Sequence, residues 1–252
     1  MIDLWNTSSN RKRLLIGGCS FSEPKGYIDN NGEYHGHGAW IPWSDLLCRE
    51  QQDSWIVKNT SKGSYGNGLI ANKIIDTILR NEKTPDLVIV QWSAIGRAYS
   101  LNEKDFVKRV IEDASNGGIE FAPHMQEYIS QNGREGWVTN VVDKISDSFY
   151  QTSFIHMIGL QLFLESRGIP YFTFWGWSQL DDELKERFKP YLDMLYNKNW
   201  FKSENSMSQY IQDKFIGGDG IMGNGDFHPS SKGQEYFYET VIKKELQKKR
   251  VI

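Results

Sequence analysis

From 13 to 22 the chain reads Arg13-Leu14-Leu15-Ile16-Gly17-Gly18-Cys19-Ser20-Phe21-Ser22. The apolar run is short and continuous, and two glycines end it. That is the signature of a strand covered on both faces and followed by a tight turn. A serine on such a turn is held rigidly and exposed at the end of a buried strand, the placement nucleophilic catalysis asks for. The plainer reading, that Ser20 only caps the next segment, stays open on this fragment alone.

Working outward, strands and helices alternate. Helical spacing marks Trp43 to Glu50, and Trp55-Ile56-Val57 reads as a second strand. Apolar residues at 69, 70, 74, 75, 78 and 79 make a helix stripe. After Pro85-Asp86, the β-branched run Leu87 to Val90 reads as a third buried strand. An irregular polar stretch over about 97–147 interrupts the alternation and reads as an insert or lid. Phe149 to Glu165 returns to a helix, Tyr171 to Trp175 to a strand, Asp181 to Tyr196 to a surface helix. Ser230 to Lys248 is the last helix, with serines to cap it and basic residues at its end. This is an α/β pattern: a mainly parallel sheet with helices on both faces, in one domain over 1–252. In such sheets the site lies beyond the C-terminal ends of the strands, here the loops after Ile16, Val57, Val90 and Trp175.

Composition narrows the function classes. Of 252 residues 39% are hydrophobic and 24% charged, enough for a large core. Lys+Arg 29 against Asp+Glu 32 leaves a net charge of -3, which disfavours a general nucleic-acid binder. No apolar run reaches the roughly 18 residues of a membrane span. The first residues carry no signal-peptide core, which points to a cytoplasmic or virion-associated protein. Cys19 and Cys48 are too few for a disulfide scaffold or a four-cysteine zinc site.

Two further loops carry candidate chemistry. Asn59-Thr60-Ser61-Lys62-Gly63-Ser64-Tyr65-Gly66-Asn67 opens a helix, where free backbone N–H groups can hold an anion or a transient oxyanion; an ordinary capped turn is the alternative. Near the end stands Gly225-Asp226-Phe227-His228-Pro229-Ser230. A histidine with a carboxylate two residues upstream can be a base and its orienter. His35 and His37 make a weak metal pair and read as surface residues. His156 reads as a core or edge residue of its apolar helix, and His124 falls in the insert.

Taken in order, these blocks resemble the SGNH (GDSL-like) hydrolase family. Gly18-Cys19-Ser20-Phe21-Ser22 matches its nucleophile block, with Cys19 where the family usually has Asp. Asn59 to Asn67 resembles its second block, with Gly63 the oxyanion glycine. The third block, Gly-x-Asn-Asp, is degenerate here: the stretch reads Gln91-Trp92-Ser93-Ala94, with Ser93 in place of the oxyanion Asn. Asp226-Phe227-His228 is one residue shorter than the family's Asp-x-x-His. The combination, with Arg97 beyond the third block, is similar to divergent phage-type members.

The resemblance implies a three-layer α/β/α domain with a flavodoxin-like sheet and a Ser20–His228–Asp226 triad, with Asp219 in reserve for Asp226. The oxyanion would be held by Gly63, the Ser20 N–H and Ser93. Losing one oxyanion donor typically costs about 10²–10³ in rate, so Ser93 is the position to watch. Cys19 is the alternative nucleophile, disfavoured because neighbouring side chains cannot both face one imidazole. No metal or organic cofactor is called for. The expected partner is a small-molecule or glycan ester, with O-acetyl groups on carbohydrate favoured. Trp40 and Trp43, together with Trp92, Arg97, Trp175 and Trp177 as substrate contacts, fall at the predicted catalytic edge, although Trp92 and Trp175 also suit a core. An O-acyltransferase using the same Ser and His, or an inactive carbohydrate-binding or virion-structural module, are the competing readings. Oligomeric state is not legible.

Overall fold

A computed structural model describes residues 4–6, 10–28, 34–36, 40–63, 65–95, 147–148, 150–177, 180–201, 206–216, 218–223 and 226–249. Arg97, His37, His124 and nearly all of the insert expected over 97–147 lie outside them.

The first strand, β1 (Lys12–Gly17), is followed by a small antiparallel hairpin of β2 (Gly26–Ile28) and β3 (Tyr34–Gly36), then by helix α1 (Trp43–Gln51). Next come β4 (Trp55–Asn59), α2 (Asn67–Arg80) and β5 (Leu87–Trp92). Helix α3 covers 150–166 and leads into β6 (Tyr171–Trp175). The four long strands form one parallel sheet in the order β4-β1-β5-β6. The chain steps from β1 to β4 on one side and then crosses back to β5 on the other. Connections diverge at such a reversal and open a crevice beyond the C-terminal end of the strand. That strand is β1, the one that Ser20 follows.

Side chains alternate across the sheet and divide the core into two layers. Leu15, Ile56, Val88, Val90 and Trp92 face one way, onto α2 and α3 through Ile70, Ile74, Phe154, Met157 and Leu160. Leu14, Ile16, Leu87, Ile89, Phe172 and Phe174 face the other way, onto α1 and the C-terminal helices through Trp43, Leu47, Phe237 and Val241. Every residue of β5 and β6 is buried. This is the three-layer α/β/α arrangement that continuous apolar strands imply.

Several elements depart from the expectation. The surface helix expected over Asp181–Tyr196 is two helices, α4 (Asp182–Arg187) and α5 (Lys189–Leu195), separated at Phe188. Pro190, in the first turn of α5, cannot donate backward and so cannot continue α4, while buried Phe188 anchors the break. Helix α6 (Met207–Lys214), capped by Ser206, and the hairpin β7 (Ile221–Gly223)–β8 (Asp226–Pro229) were not expected. Ser230 caps α7 (Ser231–Phe237) by accepting from Gly233 N at 3.2 Å. Beyond α7 the helix widens into a π turn over Tyr238–Ile242 before α8 (Lys243–Lys248). No helix among the described residues is long and apolar enough to cross a membrane.

Candidate active site

The turn after β1 carries Ser20, and two backbone bonds bring the next loop against it. Thr60 N donates to Ile16 O at 2.8 Å and Lys62 N to Gly18 O at 3.2 Å, so the β1–β4 pairing continues past both strand ends. Ser22 N donates to Cys19 O at 3.0 Å and closes the serine's own turn. On the far side of the sequence, β8 presents His228. The Ser230 hydroxyl fixes its exit by donating to Asp219 O at 2.7 Å, and Ser230 N donates to Gly220 O at 2.8 Å. The result is that His228 Nε2 lies 2.8 Å from Ser20 Oγ. Both residues are half-buried. With the ring proton on Nδ1, Nε2 accepts from the hydroxyl and is placed to take its proton.

Aromatic rings hold the imidazole. Trp40 stacks on it at 5.2 Å with 27° between planes. Phe21 meets it edge-on at 5.2 Å and Trp177 at 5.4 Å, and Phe21 and Trp177 pack on each other at 4.4 Å. The Lys25 ammonium sits 5.3 Å from the centre of the Trp40 ring.

Beneath the Ser20 turn lies Gln91, fully buried at the end of β5. Its Oε1 accepts from Cys19 N at 3.3 Å and from Ser22 Oγ at 3.0 Å, and its Nε2 donates to Trp92 O at 2.7 Å. Ser22 Oγ in turn accepts from Trp43 Nε1 at 2.9 Å, and Ser22 O accepts from Asn59 Nδ2 at 2.8 Å. The amide is wedged in place: a Cβ at Gly176 would stand 1.8 Å from Gln91 Nε2. Cys19 Sγ is buried against the same amide. That leaves the thiol facing the core while its neighbour Ser20 faces the histidine.

The remaining expected residues divide. Gly63 borders Ser20: a Cβ there would be 4.0 Å from Ser20 Cβ and 3.2 Å from Glu23 Oε2. Asp226 belongs to β8, with its backbone paired to Gly223, and its side chain lies outside what is described. Asp219 is committed elsewhere, its exposed carboxylate 3.2 Å from Lys232 Nζ. Ser93 is fully buried; its N–H donates to Asn67 Oδ1 at 2.9 Å, and its hydroxyl has no partner among the described residues. Trp92 and Trp175, each 3% exposed, pair in register across β5 and β6 inside the core, so neither is placed to touch a substrate. Trp177 is half-buried beside His228. Trp43 is a core residue, and half-buried His156 bonds Thr152 O in its own helix. The sequence reading missed Gln91 and Glu23. Their signal was position alone: one ends a strand under the turn, the other follows the turn.

No family model matches the chain, and no curated protein does. Among solved structures, it is similar to the psychrotrophic esterase EstA from Pseudoalteromonas sp., inhibited by monoethylphosphonate, at 15% identity and TM-score 0.45, covering 94% of this chain and 99% of that one. It is similar to a catalytic mutant of Axe2, an acetylxylan esterase from Geobacillus stearothermophilus, at 11% identity and TM-score 0.43, covering 94% and 95%. It is also similar to AlinE4, an SGNH-hydrolase family esterase, at 12% identity and TM-score 0.41, covering 96% of this chain and 98% of that one.

Proposed function

We propose that this chain is a serine esterase, with 1–252 as one catalytic domain. The observation that carries the reading is the 2.8 Å separation of Ser20 Oγ and His228 Nε2. It is supported by a nucleophile turn braced from below and by the aromatic rings around the base.

In this reading Ser20 Oγ attacks the ester carbonyl carbon while His228 Nε2 takes its proton. The carbonyl oxygen becomes an oxyanion, received by the backbone N–H groups of Ser20 and Gly63. His228 then protonates the departing alkoxide, and the alcohol leaves an acyl-Ser20 ester. Water attacks that ester with His228 again as base; the acid leaves and Ser20 recovers its proton. Asp226 is proposed to orient the imidazole and stabilise its cationic form. No step calls on a metal or organic cofactor.

For substrate we favour a short acyl ester, such as an O-acetyl group on a carbohydrate. Trp177 supports this by offering a half-buried aromatic edge beside His228. Trp40 is already engaged by His228 and Lys25. The test is hydrolysis of p-nitrophenyl acetate by the wild type and Ser20→Ala. The expected outcome is a loss of at least about 10³-fold in the variant; equal rates would end the proposal. Release of acetate from acetylated xylan, with no release of fatty acid from long-chain lipid esters, checks the substrate class.

A further inference from the structure

The mechanism above leaves one charged pair at the site without a task. Glu23 and Lys25 follow the nucleophile turn by three and five residues, and Lys25 Nζ lies 2.8 Å from Glu23 Oε2. Both side chains are largely buried, at 24% and 27% exposure. The carboxylate abuts Gly63, where a Cβ would meet Glu23 Oε2 at 3.2 Å. Lys25 is held at two points, one on its backbone and one on its side chain. Its backbone N–H donates to Asp45 Oδ2 at 2.9 Å, and its ammonium lies over Trp40, the ring stacked on His228. Asp45 is itself buried in the first turn of α1.

A bare carboxylate beside Gly63 is the wrong charge in that place. Negative charge develops on the carbonyl oxygen in the transition state, and a like charge within several ångströms in a partly water-excluded cleft opposes it. We propose that Lys25 is a charge-setting residue: its ion pair neutralises Glu23 and lets the Gly63 edge receive an oxyanion. The inference rests on the esterase reading. On this account Gly63 is glycine for a second reason besides the oxyanion role proposed for its N–H, because a side chain would press on Glu23.

The test is a set of charge variants, K25M, K25R, E23Q and E23Q/K25M. Each is followed by kcat/KM on p-nitrophenyl acetate, by labelling rate with a fluorophosphonate, and by thermal midpoint. K25M leaves the carboxylate unpaired and is expected to lower both rates about 10- to 100-fold. K25R keeps the charge and recovers most of that loss. E23Q/K25M removes both charges and recovers it too. E23Q alone leaves a cation beside the oxyanion edge and is expected to hold or raise both rates. A merely structural ion pair gives the opposite pattern: either single variant slows the enzyme in step with its thermal midpoint, and the double variant is the slowest. K25M at the wild-type rate, a slow E23Q, or a double variant no faster than K25M overturns the proposal. If K25M does not fold, the sign of the E23Q effect still decides. Failure of the esterase reading is distinguishable, because then wild-type Ser20 takes up no label at all.

Discussion

The meeting of Ser20 and His228 was legible because strand ends in parallel sheets are where loops gather. A serine on a glycine turn after β1 and a histidine just before the last helix both belong to that edge. Trp92 and Trp175 lie in the core for a reason of the same kind. Strand β5 runs to Trp92, two residues past the expected end at Val90. The two-residue period of Val88 and Val90 then carries Trp92 onto the core face with them. Trp175 follows as its register partner in β6. Ser93, one residue beyond the strand, is still inside the fold. Two outcomes belong to this scale. Gly63→Ala would set a methyl between Ser20 and Glu23. It is expected to lower kcat/KM about 10- to 100-fold, since small misplacements at a reacting centre cost that much. The thermal midpoint should move by only a few degrees, because the closest atom is the end of a flexible side chain. Trp92→Phe, by contrast, is expected to show its effect in urea denaturation and leave the KM for p-nitrophenyl acetate unchanged.

Among the elements, the four long strands and the helices over α1, α2 and α3 announce themselves by apolar period. The short pieces do not. Strands β2, β3 and β7 have three residues each, too few to display alternation. The break at Phe188 needed Pro190 to be read as a start signal rather than as an interruption. The π turn over Tyr238–Ile242 has no sequence mark that we can name. The interplay of β5 with the nucleophile turn was also hidden, because a glutamine at a strand end is unremarkable until the turn above it is seen. Replacing Gln91 by Leu would strand two buried donors, Cys19 N–H and Ser22 O–H, at about 1–3 kcal/mol each. The expected result is a lower urea midpoint together with a lower kcat at little-changed KM. A variant that loses stability while keeping full kcat would show that the amide braces the fold and not the nucleophile.

At the scale of the whole molecule, phenol–carboxylate contacts make stability depend on pH. Tyr171 donates its phenol proton to Glu165 Oε1 at 2.6 Å. Burial first, and then that bond, push its pKa up to about 12. Tyr238 is likewise raised by burial and by its 2.7 Å bond to Glu50 Oε2, which joins α1 to the C-terminal helices. A phenol whose folded value exceeds its unfolded value near 10 stabilises the fold fully below that pH and loses the contribution as pH rises. The thermal midpoint should therefore fall between about pH 10 and 12, and less steeply in Tyr171→Phe. Glu50 works at the other end. Burial alone would raise its carboxyl, but the Lys243 and Tyr238 hydrogen bonds and the Lys243 charge outweigh this and hold it low. Its contribution is present above the ordinary carboxylate range and is lost as pH falls through and below it. The central tie joins Ser20 to His228, which stand 208 positions apart in the chain. The direct measurement is fluorophosphonate labelling of the wild type, S20A and H228A, with the modified peptide mapped by mass spectrometry. The account predicts one adduct, on Ser20, absent from S20A and formed far more slowly in H228A. An unlabelled wild type, an adduct on another residue, or an H228A rate equal to the wild type would contradict it.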